Sequence, residues 1–348
     1  MVNSSLPPPS LLLVLLFIFF SNALNLPSAA MDCHSSDRAA LLKIKGQLGN
    51  PPELSSWMPA TNCCAWDAAA AAAAVICSPD TGRVYLVALF QLHVDVAAPI
   101  PPAYGELPML QTIQLDTLPG LYGHIPASFA KLAHLEQLDI SGTQVSGPVP
   151  GFLTKTNLSA LTITNSKLTG PIPGSLSRLS SLRYLDLSGN MLSGSIPPGL
   201  LHGSSRFLIL SSNRLTGEVP AGYADGDMDT LDLSHNQLAG DPSFLFGATK
   251  PFRKIDLSWN RLAFDMTGVR FPYHLNYLDL SHNRIRGRVS KSLKDVNVLH
   301  LDVSYNQLCG EIPAGRYMAY HQADSYANNK CLCGTPLPPC KKPRYARL

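Results

Sequence analysis

Apolar and polar residues along most of this chain recur in one short phrase, seen in Leu278-Asp279-Leu280-Ser281-His282-Asn283-Arg284-Ile285-Arg286-Gly287. The alternation about Leu278 and Leu280 predicts a short strand with one buried face, and the asparagine and glycine predict the turns that end it. Copies anchored three residues before the first leucine begin at Leu110, Leu135, Leu158, Leu182, Ser205, Met228, Phe252, Leu275 and Val298. Their spacings are 25, 23, 24, 23, 23, 24, 23 and 23 residues. A degenerate earlier copy at Val84, with Val87 and Leu89, brings the number to ten. A period of this size means stacked units that share one continuous core, since no unit buries its apolar face alone. The 348 residues therefore predict one elongated domain, although their length would allow two.

Within a unit, the strand period sends Leu275, Leu278, Leu280, Ile285 and Val289 inward and Tyr277, Asp279 and Ser281 outward. Asn283 stands where the strand turns away, as do Asn190, Asn213, Asn236, Asn260 and Asn306. Their amides are expected to satisfy backbone groups of adjacent turns. The return half reads L-x-G-x-I/V-P in Leu168 to Pro173, Leu192 to Pro197, Leu215 to Pro220 and Leu308 to Pro313. Glycine and proline exclude a regular helix there and predict an extended stretch followed by a short helical turn. The pattern departs around Leu118-Pro119-Gly120, where a unit carries an extra residue. It departs again at Phe264, where the glycine is missing and Asp265-Met266-Thr267 follows without an I-P pair. The back of that second unit is expected to be irregular.

Both ends carry caps. Leu11 to Phe20 is an apolar run too short to span a bilayer, and it reads as the core of a signal peptide over residues 1–30, cleaved near 23 or 30. No later stretch reaches spanning length. Residues 31–82 form an N-terminal cap, 83–314 the repeats, and 315–348 a C-terminal cap with a basic tail of Lys341, Lys342, Arg344 and Arg347. In the first cap a helix is predicted from Asp37 to Leu48, with Ala40, Leu41, Ile44 and Leu48 on one face and Ser36 or Asp37 capping its start. Leu54, Trp57 and Trp66 supply apolar cover for the first repeat. The run Ala68 to Ala74 is too short for an isolated helix and reads as a low-complexity insertion.

The eight cysteines fall at the two ends: Cys33, Cys63, Cys64 and Cys77, then Cys309, Cys331, Cys333 and Cys340. An exported chain favours disulfides over zinc, and neither group has paired C-x-x-C spacing, so no metal or cofactor is expected. The expected pairs are Cys33 with Cys63, Cys64 with Cys77, Cys309 with Cys331 and Cys333 with Cys340, although each group of four allows three pairings. A formal charge of +3 gives no basis for a nucleic-acid partner.

Candidate chemistry lies on the outward strand face. One column reads Gln114, Asp139, Thr162, Asp186, Ile209, Asp232, Asp256, Asp279 and Asp302, an acidic strip suited to a partner bearing lysines and arginines. A second column places His235, Trp259, His282 and Tyr305 in four consecutive repeats, flanked by Lys254, Tyr277 and His300. Aromatic and charged residues together are the types that anchor interfaces. Catalysis is disfavoured: Asp256 and Asp279 stand in a uniform row on an open sheet, not as an acid and nucleophile in a cleft. Asp232, Ser234 and His235 are too close along one strand to converge as a triad. Asn157-Leu158-Ser159 is a glycosylation sequon.

The repeat L-x-x-L-x-L-S-x-N-x-L-x-G-x-I-P resembles the plant extracellular class of leucine-rich repeats. Asp37 to Lys45, Leu54-Ser55-Ser56-Trp57 and Cys63-Cys64 resemble that class's N-terminal cap. The fold so implied is an α/β leucine-rich repeat solenoid: a curved right-handed superhelix of about ten 24-residue plant-type repeats, with a concave parallel β-sheet and disulfide-bonded caps. Ten repeats, the irregular unit from Ile255 to Pro272, and Val303 to Gly310 leading to Cys331-Leu332-Cys333-Gly334-Thr335-Pro336-Leu337-Pro338 resemble polygalacturonase-inhibiting proteins. The alanine run departs from that family's cap. The resemblance implies a monomeric, non-enzymatic protein of the cell wall that binds microbial or insect polygalacturonase through its concave face, with pectin as a further partner. The alternative is a signalling or developmental module, on the same face, for a peptide or a receptor ectodomain.

Overall fold

The computed structural model describes residues 32–66, 72–92, 97–203, 206–225 and 227–341. The signal segment with its cleavage points, Ala68 to Ala71, and Lys342, Arg344 and Arg347 lie outside them. The repeats stack as a leucine-rich repeat solenoid whose concave wall is an 11-stranded sheet. Its first strand, Ala73–Cys77, runs antiparallel to Val84–Phe90, and from there to His300–Asp302 every neighbour is parallel. The end of the alanine run, Ala73 and Ala74, thus lies in a strand of the sheet and not in a helix. Alternate strand residues enter one core continuous from Cys33 to Tyr326. Leu275, Leu278, Leu280, Ile285 and Val289 are buried as the alternation requires. Each such side chain contributes roughly 1.5–3 kcal/mol by leaving water.

In the concave sheet, residues in equivalent places pair without offset, as Lys254, Tyr277 and His300 do, apart from a shift between Arg206 and Phe207, so the places along the unit form straight columns. The return segments form an eight-stranded and a three-stranded sheet. There Ser193 pairs with Arg214 and Thr216 with Gln237, two places earlier in the next unit, so their rows run obliquely. Pro126, Pro150, Pro173 and Pro220 each precede a 3-10 turn, with φ already fixed for it. The back-sheet ladders end at Arg261–Leu262 and resume at Arg286–Gly287, the two units being joined there by a bridge of Asp265 with Arg286 and by the Arg284 and Arg286 N–H groups donating to Leu262 and Phe264. Gly194, Gly217 and Gly240 take φ of 80° to 85° in their units, a backbone that Phe264 in the same place does not adopt. Phe264 is instead buried against Phe246, whose ring also packs on Phe271 at 4.8 Å.

The N-terminal helix spans Ser35–Gln47, two residues ahead of its predicted start, because the His34 ring accepts the Ser36 N–H as its cap. Asp37 does not cap it. Its fully buried carboxylate accepts the Val84 N–H at 2.9 Å and pairs with Arg83 at 2.8 Å, tying the cap to the first repeat. Trp57 and Trp66 stack beneath at 5.3 Å. Four disulfides join Cys33–Cys63, Cys64–Cys77, Cys309–Cys331 and Cys333–Cys340, occupying all eight sulfurs. Among the described residues no helix is long and apolar enough to cross a membrane.

Candidate functional site

Asparagine builds the edge on which the candidate site stands. Asn283 Nδ2 donates to the carbonyls of Leu257, Leu280 and Ser281, and its Oδ1 accepts the Leu262 N–H at 3.0 Å. Asn190, Asn213, Asn236, Asn260 and Asn306 repeat this. Asn329, inside the C-terminal cap, continues the row with the same bonds to Val303 and Leu308. The cap therefore imitates one more unit, which its sequence, lacking the leucine pair, conceals. In the earlier units hydroxyls stand in, Thr143 bonding Ser166 at 2.8 Å and accepting the Val145 N–H.

The residue before each of these asparagines takes a left-handed backbone, as the same place also does at Thr117 and Asn165, where no asparagine follows. His235, Trp259, His282 and Tyr305 have φ of 51° to 54°, which side-chain-bearing residues seldom adopt. The column brings the four rings into one stack: His235 to Trp259 at 5.3 Å, Trp259 to His282 at 3.7 Å, and His282 to Tyr305 at 4.1 Å. Trp259 and Tyr305 are each 50% exposed. His282 sits between them with its Nδ1 buried and unpartnered. Burial holds this imidazole below its ordinary pKa, against the upward pull of Asp302 and Asp279, which favours the neutral ring. A second stack runs beside the first. Tyr277 lies on His300 at 4.3 Å, and the Lys254 ammonium sits 4.9 Å from the Tyr277 ring while pairing with Asp232 at 3.0 Å.

The column of aspartates is in register, yet it is no open acidic strip. Asp232 and Asp256 are buried, and Asp186, Asp279 and Asp302 are partly so. Each accepts the N–H of the serine two residues on, at 2.8 to 3.2 Å. Ser281, expected to point outward, is buried in this arrangement. The remaining oxygens are largely compensated as well: Lys254 holds Asp232, the Tyr277 hydroxyl donates to Asp256, and His300 lies 3.7 Å from Asp279. Burial is also the main cause that raises the Asp186 and Asp256 pKa values, and neighbouring carboxylates add to it. Asp139, which was not singled out within the column, is pushed up to about 6 by burial first and by Asp116 and Asp186 after it. The L-D-L-S phrase carries the signal for the serine bonds; nothing in it marks which carboxylate will be deepest.

Ser234 gives its hydroxyl to Asp232, and His235 is engaged with Trp259, so these residues form no relay. Asn157 is exposed in the turn before the strand Ala160–Thr164. Tyr184 and Phe207, neighbours in the column of Lys254 and Tyr277, approach at 5.8 Å and extend the aromatic surface toward the N-terminal repeats. Alternating Tyr184 and Phe207 with leucines was their only signal. On the return side, a cleft of about 730 Å³ lined by Thr267, Arg270, Arg288 and Glu311 opens at the Phe264 break, apart from the stacked rings.

Residues 34–68 match the leucine rich repeat N-terminal domain, and residues 156–215 and 274–296 match leucine rich repeat models. The chain is 41% identical over 330 residues to polygalacturonase inhibitor 2 of Arabidopsis thaliana, covering 94% of this chain and 98% of the relative. It is 47% identical over 317 residues to polygalacturonase inhibitor 1 of Oryza sativa subsp. japonica, covering 90% and 93%. Among solved structures, a plant ice-binding protein is similar with a TM-score of 0.83 and 39% identity, covering 90% of this chain and 100% of its own.

Proposed function

The chain belongs to the polygalacturonase inhibitor family, and on that premise we propose that it is a secreted cell-wall protein that inhibits microbial or insect endopolygalacturonases. It is a binding protein and not an enzyme, as the family is. The observation that carries the reading is the ring stack across four consecutive repeats, with Lys254, Tyr277 and His300 beside it. Rigid, half-exposed aromatics flanked by charge supply contact area at little entropic cost, and such residues concentrate binding energy. Inhibition would work by occlusion, the enzyme's cleft being covered so that pectin cannot enter. Because Asp232, Asp256 and Asp279 already have partners, the acidic column contributes register and orientation more than net attraction.

The test is an inhibition and binding assay of the purified, glycosylated protein against a panel of fungal and insect polygalacturonases. Neither inhibition nor binding across the panel would reject this reading and favour the peptide or receptor-ectodomain alternative. Pull-down on pectin with the same preparation, with and without the basic tail, tests whether basic residues also hold the protein in the wall.

A further inference from the structure

We propose that the return face of the units around Phe264 docks an extended acidic segment of a protein partner, one whose carboxylates fall on alternate residues. Arg284, Arg286 and Arg288 supply the cations. All three are exposed while Ile285 and Val289 are buried, so the arginines share the outer side of this return segment. Their N–H groups all donate to the preceding unit, at the Leu262 and Phe264 carbonyls and the Thr267 hydroxyl, as alternate residues of a strand do. Such residues stand roughly 6–7 Å apart along the chain. At its Arg288 end the row runs into the cleft of about 730 Å³, whose walls add Arg270 and Lys291.

Among the described residues none of these five cations forms an ion pair. On the concave side, by contrast, Arg253 and Lys254 meet Asp229 and Asp232 at 3.3 and 3.0 Å. The carboxylates of the return face are turned elsewhere. Asp265 bridges Arg286 through the backbone, and its carboxylate accepts the Thr267 N–H at 2.9 Å. Arg286 lowers the Asp265 pKa, but the Thr267 bonds come first among the causes. Glu311 lines the cleft with its side chain over Gly334, as the Arg288 stem lies over Gly310, so the two step in the same direction. Five cations with so little compensation select an anionic partner, and their spacing selects its form. An extended peptide turns every second side chain to one side, at the repeat of the three arginines, and guanidinium forks onto each carboxylate so presented. The face lies away from the stacked rings, so the proposal stands apart from the inhibitor reading.

Three fluorescent probes are titrated against the full-length protein by anisotropy: a peptide alternating glutamate with serine, its isomer with the same glutamates in one block, and an oligogalacturonate of equal charge. Expected is saturable binding of the alternating peptide, at least threefold tighter than of the block isomer and tighter than of the sugar. Replacing the row together, by Arg284→Ser, Arg286→Ser and Arg288→Ser, weakens it at least tenfold, whereas Lys131→Ser with Lys155→Ser, on turns of other units, changes it less than twofold. An unchanged circular-dichroism melt shows that the triple variant is folded; should it not be, Arg286→Gln alone is expected to weaken binding at least threefold. Absence of binding, equal binding of the two isomers, or binding that survives loss of the row overturns the proposal. So does tighter binding of the oligogalacturonate, lost in the same variant, which would give the face to an acidic polysaccharide. No polygalacturonase enters this experiment, so the docking face and the inhibitor reading fail separately.

Discussion

Asp139→Asn should make the protein more stable at neutral pH while leaving it nearly unchanged in acid. The side chain lies in the aspartate column with Asp116 and Asp186 near, and its one hydrogen bond is from the Ser141 hydroxyl at 2.7 Å. Burial, chiefly, lifts its pKa from 3.8 to about 6. A carboxyl with a raised folded pKa keeps its proton in the native state after the unfolded chain has released it. Stability is therefore full below about pH 4, falls as pH rises through the window up to about 6, and stays at the lower level beyond. The cost of ionising it in place is about 3 kcal/mol, an upper figure because the group is only partly shielded from water. Asparagine cannot ionise and still accepts from Ser141. Urea unfolding followed by circular dichroism, at pH 4 and pH 7.5, measures the difference between the variant and the parent chain. Expected is a gain of about 2–3 kcal/mol at pH 7.5 and under about 1 kcal/mol at pH 4, with equal transition slopes. An equal effect at both pH values, or a loss at pH 7.5, would refute the assignment of burial as the cause.

Asn236→Ala strips partners from the carbonyls of Leu210, Leu233 and Ser234 and from the Leu215 N–H; a loss of at least about 3 kcal/mol is expected in the same unfolding assay. Asp37→Ala leaves Arg83 without its buried counter-charge and the Val84 N–H without its acceptor, and should cost about 3–5 kcal/mol. Its readout is early hydrogen exchange in the N-terminal cap and Val84–Phe90. Trp259→Ala opens the ring stack between His235 and His282; polygalacturonase affinity by surface plasmon resonance should fall tenfold or more while the melting temperature stays within a few degrees.

The repeat period and its leucines made the fold legible, because a buried face repeated every 23 to 25 residues leaves few alternatives to stacking. The positions of His235, Trp259, His282 and Tyr305 in one column were equally plain. That the rings would touch was not, since contact depends on a left-handed backbone at each of these places, which the strand period does not signal. The acidic column misled for a related reason. A strand period says which side of the sheet Asp232 faces, but not that Lys254, one unit later, will lean back over it. Asp37 looked like a helix cap because capping residues and buried ion-pair residues are the same types; its partner Arg83 lies 46 residues away, beyond the reach of any local pattern.

The break at Phe264 has a consequence for how the chain comes apart. A solenoid ordinarily frays from its ends, where terminal units have one neighbour in place of two. Here each end is stitched by two disulfides, and Asp37 and Asn329 fasten the caps to the units they cover. The back-sheet ladders, by contrast, thin between Arg261–Leu262 and Arg286–Gly287 to one bridge, Asp265 with Arg286, and a few backbone bonds. The thinnest part of the back wall therefore lies in the interior, in the units that carry Trp259 and His282, and hydrogen exchange at Arg284, Arg286 and Met266 faster than in either cap is the expected sign of it. A chain pinned at both tips and thinned in the middle would concentrate whatever bending it undergoes beneath the stacked rings, not at its ends.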